Sequence, residues 1–336
     1  MKILCISDPQ FDYFWQQGEK QILGATIFYT KSFRQYDQLL FADKMIADDS
    51  FIVLSEGHAV LALVPLYVFK GEDYGLQYSY GADYLRGPII SGEAGKNFSD
   101  KISQFVFTKI EEIASKKKVL KHLIMMEPIE LLEGRHYYNY YLEYGYVDDA
   151  SIDCLVECDP GKESLWSNLR KSYKALINKA QRNYKILNVD AQNFDFNLCE
   201  EYRNLHKLAA GRITRPLETF HHMYEMINEG KAFLVLVHDS SARTVGAYYF
   251  LIHGLYGFYG SGATDPLLDS QSGVGHLGLW AGILVSREKG CKYLDLGQLL
   301  IRPGLSEKEK NIFHFKIGFG GKKIVTFRGV KNFLER

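Results

Sequence analysis

The sequence predicts a mixed α/β protein of two domains. Its 336 residues exceed the roughly 100–200 expected of a single domain. Segments with helical and strand periodicity alternate along the chain. The composition is 46% hydrophobic, 14% aromatic and 24% charged, which is ordinary for a globular protein and excludes collagen, coiled-coil and largely disordered classes. Forty basic residues balance forty acidic ones, so no overall field draws in nucleic acid or an anionic membrane. Any such partner needs a local patch.

In the first half, the apolar residues of FRQYDQLLFADKMIA over 31–47 recur at helical spacing. The runs SFIVLSE and AVLALVPLYVF read as strands joined by a hairpin at Gly57-His58. The Gly- and Tyr-rich stretch 71–88 reads as loop or edge strand. Ser99 is placed to cap a helix through about 117, buried along Ile102, Phe105, Val106, Ile110 and Ile113. HLIMME is a short strand, and the strand 151–158 is expected to close the first unit, giving domains of 1–160 and 161–336.

Cys5, Cys154, Cys158, Cys199 and Cys291 form no disulfide framework and no zinc spacing. Cys154 and Cys158 alternate with Ile152 and Val156 and read as buried thiols on one strand face. Only ILCI follows Lys2 before Ser7 and Asp8, too short for a signal-peptide core. No run approaches the roughly 20 apolar residues of a membrane span. The expectation is a cytoplasmic protein without a transmembrane segment.

Residues 162–185 read as one basic helix carrying Arg170, Lys171, Lys174, Lys179 and Arg182. Both a solvated face and a phosphate-binding surface fit it. Helices follow at about 194–210 and 217–228, the second opened by Pro216 and stopped by Gly230. Next come the strands KAFLVLVHD, TVGAYYFLIH and GLYGFYGSGAT, a glycine turn, a helix, the strand CKYLDLG, a helix and a last strand, KKIVTFRG.

The turn Ser272-Gly273-Val274-Gly275, with His276 beginning the helix proper, stands between a strand and a helix. Glycines admit an anion close to backbone N–H groups, and the helix start adds partial positive charge. A phosphate cradle and a plain tight turn both fit. The turn meets neither the dinucleotide fingerprint nor the Walker pattern. The chain has no Gly-x-Ser-x-Gly elbow, and His206, His221 and His222 have no metal-ligand spacing, so no metal is expected.

Three segments resemble the FemABX family and the FemAB-like acyltransferases, relatives within the GNAT superfamily. They are SYKALINKAQRN, GHLGLWAGILVSREKGCKYLDLGQ and FHFKIGFGG, and the match is strongest over about 160–330. The resemblance implies two tandem GNAT-like domains of α/β (α+β) class. It implies an N-acyltransferase for an amine of a cell-envelope amino sugar or peptide precursor, with acyl-CoA as donor and no tightly bound cofactor. The rival Fem-type reading uses aminoacyl-tRNA, with tRNA as partner, on a peptidoglycan-like precursor. A third reading is a binding module with a decayed donor pocket. DNA is not expected as a partner.

Lys316 matches the lysine of the family's Phe-Lys pair, which implies charge stabilisation during transfer. Asp295, ending YLDLG, is either a general base or the partner of Arg302 or Lys316. Tyr259, with Ser261 beside it, stands where GNAT folds face the acyl carbonyl. Ser272, Gly273, Val274, Gly275 and His276 would hold the donor. Arg212, Arg215, Lys171 and Lys174 would bind phosphate or carboxylate groups of the substrates. His314 and His276 are alternative proton-transfer groups.

Overall fold

The computed structural model describes all residues except 73–74, 93–94, 135, 160, 270 and 334–336. Two compact units divide it: residues 1–151 with 325–336, and residues 152–324.

The first unit opens with β1 (Lys2–Cys5), α1 (Phe11–Gln21) and α2 (Lys31–Leu40). Strands β2 (Ala47–Asp48), β3 (Phe51–Leu54), β4 (Val60–Val64), β5 (Tyr67–Lys70), β6 (Leu76–Tyr78), β7 (Leu85–Arg86) and β8 (Ile89–Ile90) follow. Then come α3 (Lys96–Lys117), β9 (Val119–Met125), α4 (Pro128–Leu132) and β10 (Val147–Asp148). The hairpin at Gly57-His58 is present, with His58 at φ 64°. Pro65 and Pro88 separate strand pairs that would otherwise run on, because proline cannot donate to a ladder. The strands therefore divide into a four-stranded sheet, β1-β3-β4-β8, and a larger one containing β5, β6 and β9. α3 covers the core with Ile102, Val106, Phe107, Ile110 and Ala114.

The second unit holds β11 (Ser151–Glu157), α5 (Lys162–Asn168), α6 (Lys171–Asn183), β12 (Lys185–Val189), α7 (Phe196–Ala210) and α8 (Leu217–Asn228). It continues with β13 (Ala232–His238), β14 (Thr244–His253), β15 (Tyr256–Thr264), α9 (Val274–Glu288), β16 (Tyr293–Leu299), α10 (Glu307–Ile317) and β17 (Lys322–Thr326). Its sheet runs β12-β13-β14-β15-β16-β11-β17. Successive side chains of β14 point to opposite faces. The rings of Tyr248 and Phe250 lie where Cβ atoms on Gly278 and Gly282 of α9 would fall, so two glycines one turn apart let this helix lie close on the sheet. On the other face, Tyr249 stacks on Tyr202 of α7 and donates to the Met223 carbonyl of α8.

Several expectations change. The chain crosses between units at 151/152, not 160/161, because β11 pairs with β16 rather than closing the first sheet. The last strand is two: β17 stays in the second unit's sheet, while β18 (Arg328–Asn332) pairs with β9 and β10 of the first. β18 thus fills, between β9 and β10, the place that β11 fills between β16 and β17. The basic helix breaks at Leu169 and Arg170, both extended, and the Arg170 N–H bonds the distant Gly318 carbonyl. α2 ends at Leu40 rather than 47. α3 starts at Lys96 behind Gly95, leaving Ser99 inside the helix instead of capping it. Cys154, Cys158, Cys199 and Cys291 are buried and Cys5 is exposed.

Candidate active site

β15 and β16 run parallel and pair at only three positions, ending at Phe258–Asp295. β15 then continues to Thr264 alongside β14 while β16 continues to Leu299. The two central strands therefore part, and among the described residues no strand pairs with the β16-facing edge of β15 beyond Phe258. A bulge where Tyr249 and Phe250 face Ser261 and Tyr259 leaves Gly260 as the extra residue. Such a bulge re-aims the chain locally and interrupts its ladder.

The glycine turn stands beside this fork. Gly273, at φ +74°, precedes α9, and a Cβ there would lie 2.5 Å from the Leu176 carbonyl oxygen of α6. This glycine is required by close helix contact and a left-handed backbone. Gly275 differs: its nearest neighbours would be Thr264 Oγ1 and Tyr248 Oη at 3.9 Å and Phe315 at 4.0 Å. Space therefore remains next to the first-turn N–H groups of Gly275 and His276, which have no intrahelical acceptor. Ser272 Oγ lies 3.5 Å from the Val274 N–H, and the Val274 side chain is buried in the core. His276 sits among Tyr173, Phe315 and Phe319, with its ring 4.3 Å from that of Tyr173. Burial pushes its pKa down to about 4, so near neutral pH it is uncharged.

Lys316 of α10 turns inward. Its Nζ donates to the Gln298 carbonyl at 2.9 Å and would lie 3.2 Å from a Cβ on Gly297, which has φ +80°. The ammonium therefore rests on β16 just past the last β15–β16 pair. Burial lowers its pKa, opposed by the attraction of Asp295 and Asp153. Asp295 is buried. One carboxylate oxygen accepts from Tyr256 Oη at 2.7 Å and the other from the Gly297 N–H at 2.6 Å. With both oxygens engaged, Asp295 is built to hold charge and shape at the strand end. Arg302 is occupied with Glu309 instead, at 2.7 Å.

Asp153 was not legible as a site residue. It is buried, on β11 directly opposite Gln298, and contributes to the field at Lys316. An acid inside the apolar run IDCLVEC was the available signal. Cys154 next to it is pushed up to about 12 by burial, which keeps it a thiol.

Tyr259 packs against Phe250, and its hydroxyl lies over Gly262, 2.1 Å from where a Cβ would be. Burial, then Tyr248 and Tyr202, raise its pKa, so it stays a hydrogen-bond donor. On the opposite face, Ser261 Oγ and Tyr202 Oη are 2.6 Å apart. Arg215 lies over the Phe220 ring at 5.8 Å, and its charge lowers the Tyr202 pKa against the larger effect of burial. Arg212 is exposed, so the structure draws only one of the two arginines toward the fork strand.

Lys171 is exposed and Lys174, half-buried, donates to the Ser167 carbonyl at 2.9 Å. Tyr173 donates to the carbonyl of exposed His314 at 3.0 Å. Among the described residues, no group of three His, Cys, Asp or Glu side chains could hold a metal ion, and no helix is long and apolar enough to cross a membrane.

No family model and no curated protein matches the sequence. Solved structures do. FemX aligns over 98% of this chain and 97% of its own, at 13% identity and a TM-score of 0.69. L-PGS from Bacillus licheniformis aligns over 88% of this chain and 90% of its own, at 14% identity and a TM-score of 0.54. A tandem GNAT protein from the clavulanic acid biosynthesis pathway covers 100% of this chain and 99% of its own, at 10% identity and a TM-score of 0.50. The chain therefore has the fold of FemX and of the tandem GNAT protein.

Proposed function

We propose that the protein is an N-acyltransferase that moves an acyl group from acyl-CoA to an amine of a cell-envelope amino sugar or peptide precursor. The observation that carries this reading is the fork of β15 and β16, with Lys316 at its base and the first turn of α9 beside it. An extended thioester arm with amide groups suits the unpaired edge of β15, and its phosphates suit the N–H groups of Gly275 and His276. Ser272, Gly273 and Val274 shape that turn.

In the transfer, the amine nitrogen attacks the thioester carbon. The C–N bond forms, the C–S bond breaks, and the amine's proton ends on the thiolate. Charge collects on the carbonyl oxygen, where the Lys316 ammonium stabilises it and Tyr259 supplies a second donor. Asp295 holds Lys316 and acts as a positioning residue. Arg215 receives a phosphate or carboxylate of the acceptor, and the names FemX and L-PGS among the structural relatives support an envelope acceptor.

A second reading takes aminoacyl-tRNA as donor, and one feature favours it. Residues 164–189 contain no acidic residue, and Arg170, Lys171, Lys179, Arg182 and Lys185 are all exposed there. Intact arrangement of Lys316, Asp295 and the open Gly275 turn speaks against the non-catalytic reading.

The test offers acetyl-CoA or charged tRNA, each with UDP-linked amino sugars and with peptide amines, and follows amide product by mass spectrometry. Product from acetyl-CoA supports the proposal. Product from charged tRNA alone replaces it with the Fem-type reading. No product from either donor, with both failing to shift the melting temperature, overturns both.

A further inference from the structure

The end of α7, the α7–α8 connection and the start of α8 carry, apart from Arg215, a feature that acyl transfer does not use. From Lys207 in the last turn of α7 to Leu217, the first residue of α8, the sequence KLAAGRITRPL contains three basic residues and no acidic one, in a chain whose charges balance overall. Nearly all of it is exposed. Three large aliphatic side chains stand in water: Leu208 at 55%, Ile213 at 70% and Leu217 at 45% exposure. Lys207 and Arg212 are exposed beside them.

The same segment is fixed from inside. Thr214 Oγ1 is 3.2 Å from His206 Nδ1, and the Arg215 guanidinium lies over the Phe220 ring at 5.8 Å. A segment held at Thr214 and Arg215 and carrying exposed aliphatic groups among cations is not explained by packing within its unit. Exposed apolar clusters of this kind mark interaction surfaces.

We propose that this segment, the last turn of α7 with the α7–α8 connection and the start of α8, is a membrane-contact surface for anionic lipid. Charge complementarity selects the occupant: the side chains that enter an interface are aliphatic, and Lys207 and Arg212 meet negative headgroups. A loop that enters only the interfacial layer needs no spanning helix. The lipid contact itself holds whether or not the acyl-transfer reading does, because binding requires no substrate.

Co-sedimentation of the full chain with phosphatidylglycerol-containing vesicles, against pure phosphatidylcholine vesicles, tests it. The protein is expected to pellet with the anionic vesicles and to be released as salt rises. Ile213→Ser/Leu217→Ser should lower the partition by about tenfold or more, and Arg212→Gln by about fivefold. Leu267→Ser, removing an aliphatic group 85% exposed elsewhere in the unit, should change nothing. If the double variant does not fold, Arg212→Gln alone decides. Absence of binding to anionic vesicles, equal binding by all variants, or loss of a dimer instead of loss of lipid binding in Ile213→Ser/Leu217→Ser would overturn the proposal.

Discussion

Removing the Lys316 ammonium is the perturbation whose outcome the geometry constrains most. Lys316→Ala deletes a hydrogen bond to the Gln298 carbonyl and leaves Asp295 and Asp153 without the positive charge between them. Asp295 keeps its bonds from Tyr256 and Gly297, so the loss is partial rather than that of a fully orphaned ion pair. A cost of about 2 kcal/mol in stability is expected, lowering Tm by about 4–8 °C. If the ammonium faces the developing oxyanion, turnover falls by about 10²–10³, or about 2.7–4 kcal/mol of transition-state stabilisation. The assay is kcat and KM at a temperature well below the variant's Tm, with a melt recorded on the same sample. A folded Lys316→Ala with wild-type turnover refutes the reasoning. If Lys316→Ala does not fold, Lys316→Arg decides, since it keeps the charge but crowds Gly297, where the native Nζ already approaches to 3.2 Å of a Cβ position. Wild-type kcat for that variant would refute the positioned-charge argument as well.

The two turn glycines should separate. Gly273→Ala meets the Leu176 carbonyl at 2.5 Å with φ +74° and should destabilise by roughly 1–3 kcal/mol in urea titrations. Gly275→Ala should leave the melt unchanged, and Gly275→Val should raise the donor KM without unfolding. Stability should pass through a maximum near pH 6.5 in the contributions of three buried groups. His122 and His276 are pushed down to about 3 and about 4 by burial, so the native state binds fewer protons there and stability falls as pH drops below about 6.5. Asp37 is pushed up to about 8 by burial, so the native state holds an extra proton and stability falls as pH rises toward 8. Asp37→Asn should flatten the upper limb of the urea midpoint against pH, and an unaltered limb would contradict the assignment. Lys171→Glu/Lys174→Glu should raise one substrate's KM in a salt-dependent way, whereas unchanged constants for both substrates would leave α6 a solvated face.

The strands β13 to β15 were legible because their β-branched and aromatic runs have no competing helical period, and the glycine turn was legible from its place between strand and helix. What the sequence concealed depends on partners far along the chain. The helical spacing of Leu165, Leu169 and Leu176 runs straight through Leu169-Arg170, where the helix breaks and the Arg170 N–H bonds the distant Gly318 carbonyl. KKIVTFRG shows no interruption at Phe327, yet the chain changes sheets there. Asp153 reads as a stray acid in a strand until α10 brings Lys316 to it. Arg212 and Arg215 look equivalent in sequence, and the neighbours Phe220 and Tyr202 distinguish Arg215.

Hydrogen–deuterium exchange of the full chain with and without acetyl-CoA tests the claim that the fork receives the donor. The unpaired edge of β15 over 259–264 and the first turn of α9 over 274–277 should slow their exchange together, by about tenfold or more at saturating donor. Residues of the first unit should keep their rates. Protection confined to the first unit, or to the basic α5–α6 segment with 259–264 unchanged, would contradict the account.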